Sequence, residues 1–367
     1  MKRLVCLAFA LAAAAGSVLA CSQDATPTAL PSPTSGPTPT PLPLQSSQWE
    51  GTTIRSVCLA VEQSYPEIEG DFSLPIESSI RNILGALGLQ MVQEQSACDA
   101  SLRVMLEGEP LGDHYISSGV CYTGARVSGK MELSSSGRSS LEIPFLEEQL
   151  PPAVVSSCPE QRAYAPFGPV WGRAVVKALM ELWGMPVAVA ALQDDVGSVQ
   201  AAGAEELGKL GAQAADAVPL LAELVWEGAE NARRAAIEAL GQIGPAASDA
   251  LGELIGVLRF RSNSYERGLA AEAMGRIGVA NGETISVLLD ALADDSISLR
   301  EEAARALGAF GPQALRAVPA LIEALGDRFP AVVQAAGEAL AACTGQQFGT
   351  DAVAWQQWWT ESQAGGN

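Results

Sequence analysis

From residue 185 onward the apolar positions fall at helical spacing, and the same pattern returns every 33 or 34 residues. One stripe runs through Val218, Leu221 and Val225. It recurs as Leu251, Leu254 and Leu258, as Ile285, Leu288 and Leu292, and as Val318, Leu321 and Leu325. These are positions i, i+3 and i+7, a single buried helix face. A second stripe closes each unit with LGKLG from Leu207, LGQIG from Leu240, MGRIG from Met274, LGAFG from Leu307 and the altered LAACTG from Leu340. Four residues before each closing Leu or Met stands a small residue, Gly203, Ala236, Ala270, Ala303 or Ala336, which predicts close approach of neighbouring helices. The glycines of the closing motif read as helix-ending turn residues. About five helical hairpins, opening at Met185, Val218, Leu251, Ile285 and Val318, predict an α-solenoid over 185–345.

Ahead of the array, residues 49–184 alternate with period two. A strand is expected over 54–61, then a helix with Ser73 as N-cap, Ile80, Ile83, Leu84 and Leu87 on one face and Gly88 at its end. Alternation at 102–106, 127–133 and 141–145 predicts half-buried antiparallel strands, and Val170, Trp171, Ala174, Val175, Ala178, Leu179 and Leu182 form the stripe of a helix over 166–183. The order β-α-β-β-β-α reads as a small α/β domain with helices on one face of a sheet. After the array, Trp355, Trp358 and Trp359 lie at i, i+3 and i+4 and predict a Trp-rich cap over 346–367.

The N-terminal segment adds an address. Lys2 and Arg3 precede an apolar run to Ala15 of secretory-signal length, and residues 18–21 read VLAC. This resembles the bacterial lipobox, with Leu19 where a smaller residue is usual. The resemblance implies cleavage after residue 20 and lipidation of Cys21, hence an extracytoplasmic chain anchored to a bacterial membrane, the outer membrane where the cell has one and otherwise the outer face of the cytoplasmic membrane. Residues 21–48 are rich in Pro, Thr and Ser and predict an extended tether that reaches at most roughly 80 Å. In an oxidising compartment Cys58, Cys98, Cys121 and Cys158 are expected to form two disulfides. Three pairings are open, of which Cys58 with Cys98 and Cys121 with Cys158 is preferred; the absence of a CxxC-type spacing argues against zinc. Cys343 falls in an apolar column and reads as a buried free thiol.

A net charge of -20 with no basic patch repels phosphate backbones and anionic lipid and argues against nucleic acid as a partner. No phosphate loop or nucleophile elbow appears, and the single histidine, His114, supports neither a triad nor a metal cluster. The acidic column Glu205, Glu238, Glu272 and Glu338 reads as a solvated helix face. No cofactor, metal or catalytic residue is expected.

Seven residues before each closing Leu or Met stand Gln200, Arg233, Arg267, Arg300 and Val333, and six before those stand Asp194, Glu227, Arg261, Asp294 and Asp327. With the closing motif, this resembles the HEAT repeat, in the short HEAT-like class named after phycobilisome lyases, over 185–345. The resemblance implies a ladder between stacked units, with Glu227, Asp294, Arg233, Arg267 and Arg300 as its members and Arg261 breaking the acid column. Enzymes of this repeat class need features missing here. A di-iron hydroxylase would require histidines within the array, and a bilin lyase works inside the cell. The resulting expectation is a non-enzymatic protein-binding scaffold. A small-ligand or accessory module sited where head and first repeat meet is the alternative, and a lyase-like enzyme ranks third. The third unit carries one extra residue at a turn with Arg259, Phe260, Arg261 and Tyr265, residue types enriched at binding hot spots, and this turn is the candidate partner contact.

Overall fold

The computed structural model describes residues 44, 49, 52–68, 73–93, 97–116, 119–150 and 167–364. The head is a five-stranded sheet of order β2-β1-β3-β4-β5, built from β1 (Ser56–Ser64), β2 (Gln90–Met91), β3 (Ala100–Ile116), β4 (Gly119–Ser134) and β5 (Leu141–Gln149). The strands at 102–106, 127–133 and 141–145 are antiparallel as expected, and β1, for which the sequence indicated no direction, pairs in parallel with both β2 and β3. The reason is topological: α1 (Ile76–Ala86) crosses over after β1, and a crossover returns the chain in the same direction. The two-residue β2 was also not anticipated. Pro75, not Ser73, stands at the N-cap of α1, and no side chain caps that end. β3, β4 and β5 are antiparallel, with Leu102 opposite Leu133 and Met131 opposite Ile143.

One face of the sheet is covered by α1 and α2 (Phe167–Trp183). Ile76, Ile80, Ile83 and Leu84 of α1 and Phe167, Val170, Trp171 and Val175 of α2 are all buried with Leu102, Val104, Val127, Met131 and Leu133. Cys58 of β1 and Cys98 before β3 are disulfide-bonded, with Cα atoms 5.7 Å apart, so the bridge clamps the two parallel neighbours at their shared end. Cys21, Cys158 and the side chain of Cys121 lie outside the described residues, and with them the second expected disulfide and the lipidation site.

The array is five hairpins: α3 (Met185–Ala191) with α4 (Gly197–Leu210), α5 (Val218–Glu227) with α6 (Glu230–Ile243), α7 (Leu251–Phe260) with α8 (Ser264–Ile277), α9 (Gly282–Ala291) with α10 (Ile297–Ala309), and α11 (Val318–Ala324) with α12 (Pro330–Thr344). The expected stripes are the core: Leu221, Leu254, Leu288 and Leu321 are fully buried, as are Leu207, Leu240, Met274, Leu307 and Leu340.

The closing motif holds two glycines with different work. Its last glycine, at 211, 244, 278, 311 and 345, has positive φ and ends the helix, as read from the sequence. Its first does not end anything. A Cβ on Gly241, Gly275 or Gly308 would lie 3.0, 2.9 or 2.9 Å from the Cα of Ala273, Ala306 or Ala339 in the second helix of the next unit. Successive second helices therefore touch backbone to backbone. In the last unit Ala341 takes this position, and no further second helix stacks there.

Both ends of the stack are closed. At the far end α13 (Ala352–Ala364) inserts Trp355, fully buried, whose Nε1 donates to the Gly349 carbonyl at 2.9 Å. Phe348 and Trp358 meet its ring edge-on at 5.0 and 5.9 Å. At the near end the head takes the place of a preceding unit. α2 lies along α4 so closely that a Cβ on Gly172 would meet the Ser198 carbonyl at 2.6 Å, and Ala191, Val199 and Ala202 of the first unit belong to the head core.

The Gly–Ala contact makes a testable distinction. Alanine at a helical glycine gains up to about 1 kcal/mol in propensity where there is room. Gly85→Ala in α1, where nothing lies within 4 Å, should therefore stabilise. Gly275→Ala should instead destabilise by a net of about 1–2 kcal/mol, since overpacking costs roughly 1–3 kcal/mol. Urea unfolding of the two variants compares them directly, and equal stabilisation by both would show that the helices have slack.

Candidate functional site

The turns between the two helices of each unit lie side by side, and a polar network runs through them. In the first, fourth and fifth units the acid of the column bends the turn: Asp194, Asp294 and Asp327 accept the N–H two residues on, from Val196 at 2.8 Å, Ser296 at 2.9 Å and Phe329 at 2.8 Å. The arginine of the column then joins units. Arg300 donates through Nε to Asp327 at 2.7 Å and through Nη1 to its own turn carbonyl at Asp294, also 2.7 Å. Arg267 forks onto both oxygens of Asp294. Each rung thus runs from one unit to the acid of the next, and two parallel bonds fix its direction.

Electrostatics agree with this geometry. The Arg300 guanidinium holds the Asp327 carboxyl below the usual carboxylate range against the opposing effect of burial. At Asp294 burial alone would raise the value, but hydrogen bonds from Arg267 and the Ser296 N–H outweigh it and the net shift is downward.

The third unit breaks the acid column with Arg261, and the structure repairs the rung from an unexpected place. Arg233 donates to Glu266 at 2.7 Å and to the Gly228 carbonyl at 3.0 Å. Glu266 is 1% exposed. It occupies the column held by Val199, Ala232, Leu299 and Val332 in the other units. A buried carboxylate at an apolar position is stable there only because the arginine meets it. Sequence reasoning missed Glu266, although the signal was present as an acid interrupting an apolar column in the very unit whose acid column carries a base. Glu227, expected in the ladder, is a correction: among the described residues no arginine reaches it, because the preceding unit carries Gln200 where the second, third and fourth carry Arg.

The first unit shows the same logic with a different donor. Asp194, 2% exposed, accepts from Ser79 Oγ at 2.9 Å and Asn82 Nδ2 at 3.2 Å, both on α1 of the head. The head therefore supplies the rung that a preceding unit would have supplied.

Residues 185–275 and 285–354 match the family model of HEAT repeats. The solenoid is a HEAT-repeat array. Among solved structures, an engineered protein is 23% identical with TM-score 0.39, over 51% of this chain and 90% of that one. The complex of CpcE and CpcF of phycocyanin lyase from Nostoc sp. PCC7120 is also 23% identical with TM-score 0.39, over 50% and 71%. A designed armadillo repeat protein is 18% identical with TM-score 0.38, over 52% and 96%. No curated protein matches the chain in sequence.

The candidate partner contact at the third HEAT repeat is only partly open. Arg261 turns inward, donating to the carbonyls of Val225 and Trp226, both at 3.1 Å, with its guanidinium 4.8 Å from the Trp226 ring centre. Arg259 pairs with Glu283 at 3.0 Å. Phe260 and Tyr265 remain 77% and 52% exposed, the latter with the Arg234 guanidinium 4.9 Å from its ring. The two arginines are thus structural ties, and what the turn offers outward is aromatic.

Along the second helices, burial and the neighbouring carboxylates of Glu205 and Glu272 push Glu238 up. Cys343 is buried and donates to the Leu307 carbonyl at 3.6 Å, and burial pushes its thiol up to about 11. Among the described residues no group of three or more His, Cys, Asp or Glu side chains converges as metal ligands would.

The rungs set an acid limb of stability. A carboxyl whose value is depressed on folding contributes fully above its unfolded value of about 4 and loses that contribution as pH falls through the folded one. The wild-type melting temperature should therefore drop below about pH 4, and Asp327→Asn, already lacking the charge, should show a shallower drop between pH 5 and 2. Arg300→Gln leaves Asp327 unpaired and should cost about 2–4 kcal/mol at pH 7. Thermal melts across that pH range check both, and identical slopes for wild type and Asp327→Asn would remove the rung from the stability of the array.

Proposed function

We propose that the chain is a non-enzymatic scaffold that binds a partner protein along the sides of its HEAT array, and that it is held outside the cytoplasm by a lipid on Cys21. The observation that carries the scaffold reading is the closure of both ends. α13 covers the last unit and the head covers the first, so the surface left for a partner is lateral: the exposed helix faces and the turns. Large, rigid and continuous, that surface suits a macromolecule better than a small substrate. The alternative of a small ligand between head and first repeat has little support, because the Gly172–Ser198 approach and the Asp194 bonds fill that junction.

The anchor rests on sequence, on the VLAC stretch at 18–21 and the Pro/Thr/Ser-rich spacer after it. The disulfide between Cys58 and Cys98 supports an oxidising location, since such bonds persist outside the cytoplasm. Two experiments separate the parts of this reading. Cys21→Ser should move the protein from the membrane to the soluble fraction after a high-salt wash, and a variant that stays with membranes defeats the lipid anchor. Purification from detergent-solubilised membranes should recover a protein at fixed stoichiometry, whereas recovery of the chain alone under cross-linking conditions would count against a scaffold.

A further inference from the structure

The second HEAT repeat departs from its neighbours at two adjoining places, and both departures suit a cation. At the turn, Glu227 stands in the acid column. Asp294 receives Arg267, Asp327 receives Arg300 and Asp194 receives Ser79 and Asn82, but Glu227 receives no donor among the described residues because position 200 is Gln200. Where the arginine of a complete rung would lie there is a cavity of about 370 Å³, lined by Gln200, Leu220, Glu223, Leu224 and Glu227 among others. Glu227 is exposed over it.

A second groove, of about 680 Å³, shares Glu223 and Glu227 with the first and continues between α5 and α7. Val218, Pro219, Ala222 and Ala250 give it an apolar lining, and Asp216, Asp249 and Glu253 add to its acids. No basic residue lines it, and none of these five acids forms an ion pair among the described residues. Trp226 also lines the groove, 39% exposed, in a position that the fold fixes. Arg261 holds its ring from one side at 4.8 Å. Gly256 makes room for it, since a Cβ there would lie 2.6 Å from Trp226 Cζ2. The equivalent positions in the other repeats carry Ala190, Glu223, Asp290 and Glu323, so the glycine is the one position of this column without a Cβ, and it lies against the tryptophan.

We infer that this double groove receives an arginine-bearing extended segment of a partner protein, one guanidinium completing the rung at Glu227 and a second basic side chain lying against Trp226. The inference rests on the reading of the array as a protein-binding scaffold and names its surface and the chemistry of its partner. The occupant follows from complementarity. The rung position accepts a guanidinium in the fourth and fifth repeats, the apolar lining and the indole suit the aliphatic stem and flat head of arginine, and a chain of net charge -20 draws basic segments towards itself.

The test uses the full chain in detergent and a fluorescein-labelled peptide of four alternating Arg-Ala pairs, with a Glu-Ala peptide as control, read by anisotropy. Wild type should bind the arginine peptide and not the glutamate one. Gln200→Arg fills the rung from within, so it should raise Tm and weaken peptide binding about tenfold. Trp226→Ala should weaken it roughly fivefold or more. Glu338→Gln, which makes the same change in net charge as Gln200→Arg on a distant repeat, should alter binding less than about twofold. Binding unchanged by both Gln200→Arg and Trp226→Ala, or weakened equally by Glu338→Gln, overturns the proposal in favour of diffuse charge attraction. If Gln200→Arg fails to fold, Trp226→Ala decides alone. A dimer in sedimentation that Trp226→Ala abolishes would give the groove to a second copy of this chain and equally overturn it. Should a co-purifying protein be retained undiminished by both groove variants, the scaffold reading stands and the groove is the wrong surface.

Discussion

Everything in the array depends on how closely one second helix can lie against the next. At Gly241, Gly275 and Gly308 the distance left for a side chain is 3.0 Å or less, measured to the backbone of the neighbouring alanine. A contact of that kind allows little tilt or slide, because any larger atom on either side must push the helices apart. The long apolar side chains of the stripes then fill what the backbones leave open. The short period, the small-residue columns and the regular position of the turns are all consequences of this one approach.

With the helices fixed, the turns come within reach of one another, and the arginine rungs become geometrically possible. They are local devices, each joining two units, and the array tolerates their exchange. Glu266 replaces a turn acid from within the next helix, and Ser79 and Asn82 replace an arginine from outside the array. The acids at the first, fourth and fifth turns each receive a donor, and the residue that supplies it varies. The head is joined to the solenoid by the same two means that join one unit to the next, a backbone contact at Gly172 and a polar tie at Asp194.

Much of this was legible in the sequence because a repeat states its pattern several times. The stripes, the unit boundaries and the terminal Trp cluster each appear as a column or a break in one. The direction of β1 was less accessible, since alternation is the same for parallel and antiparallel pairing; the helix between β1 and β3 is the clue to a crossover and so to a parallel pair. The first glycine of the closing motif reads as part of a turn because sequence places it next to one, while its reason lies in an alanine of the next unit, Ala273, Ala306 or Ala339. Glu227 was assigned to the ladder from its own column, but a rung needs two ends, and the other end was Gln200. Contacts between units that differ in type, as between Asp194 and α1, have no column to reveal them.

Ala341 carries a further consequence. Two bare ends of a helical stack are complementary by construction, so the last unit of one molecule could receive the first unit of another and propagate head to tail into a filament. Here the glycine that would admit a further helix is replaced by alanine, and a buried indole occupies the face beyond it, while the opposite face is spent on the head domain. The molecule is in this way a ruler of set length. With α13 over one end and the head over the other, its five units present no bare helix face on which a second array could continue the stack.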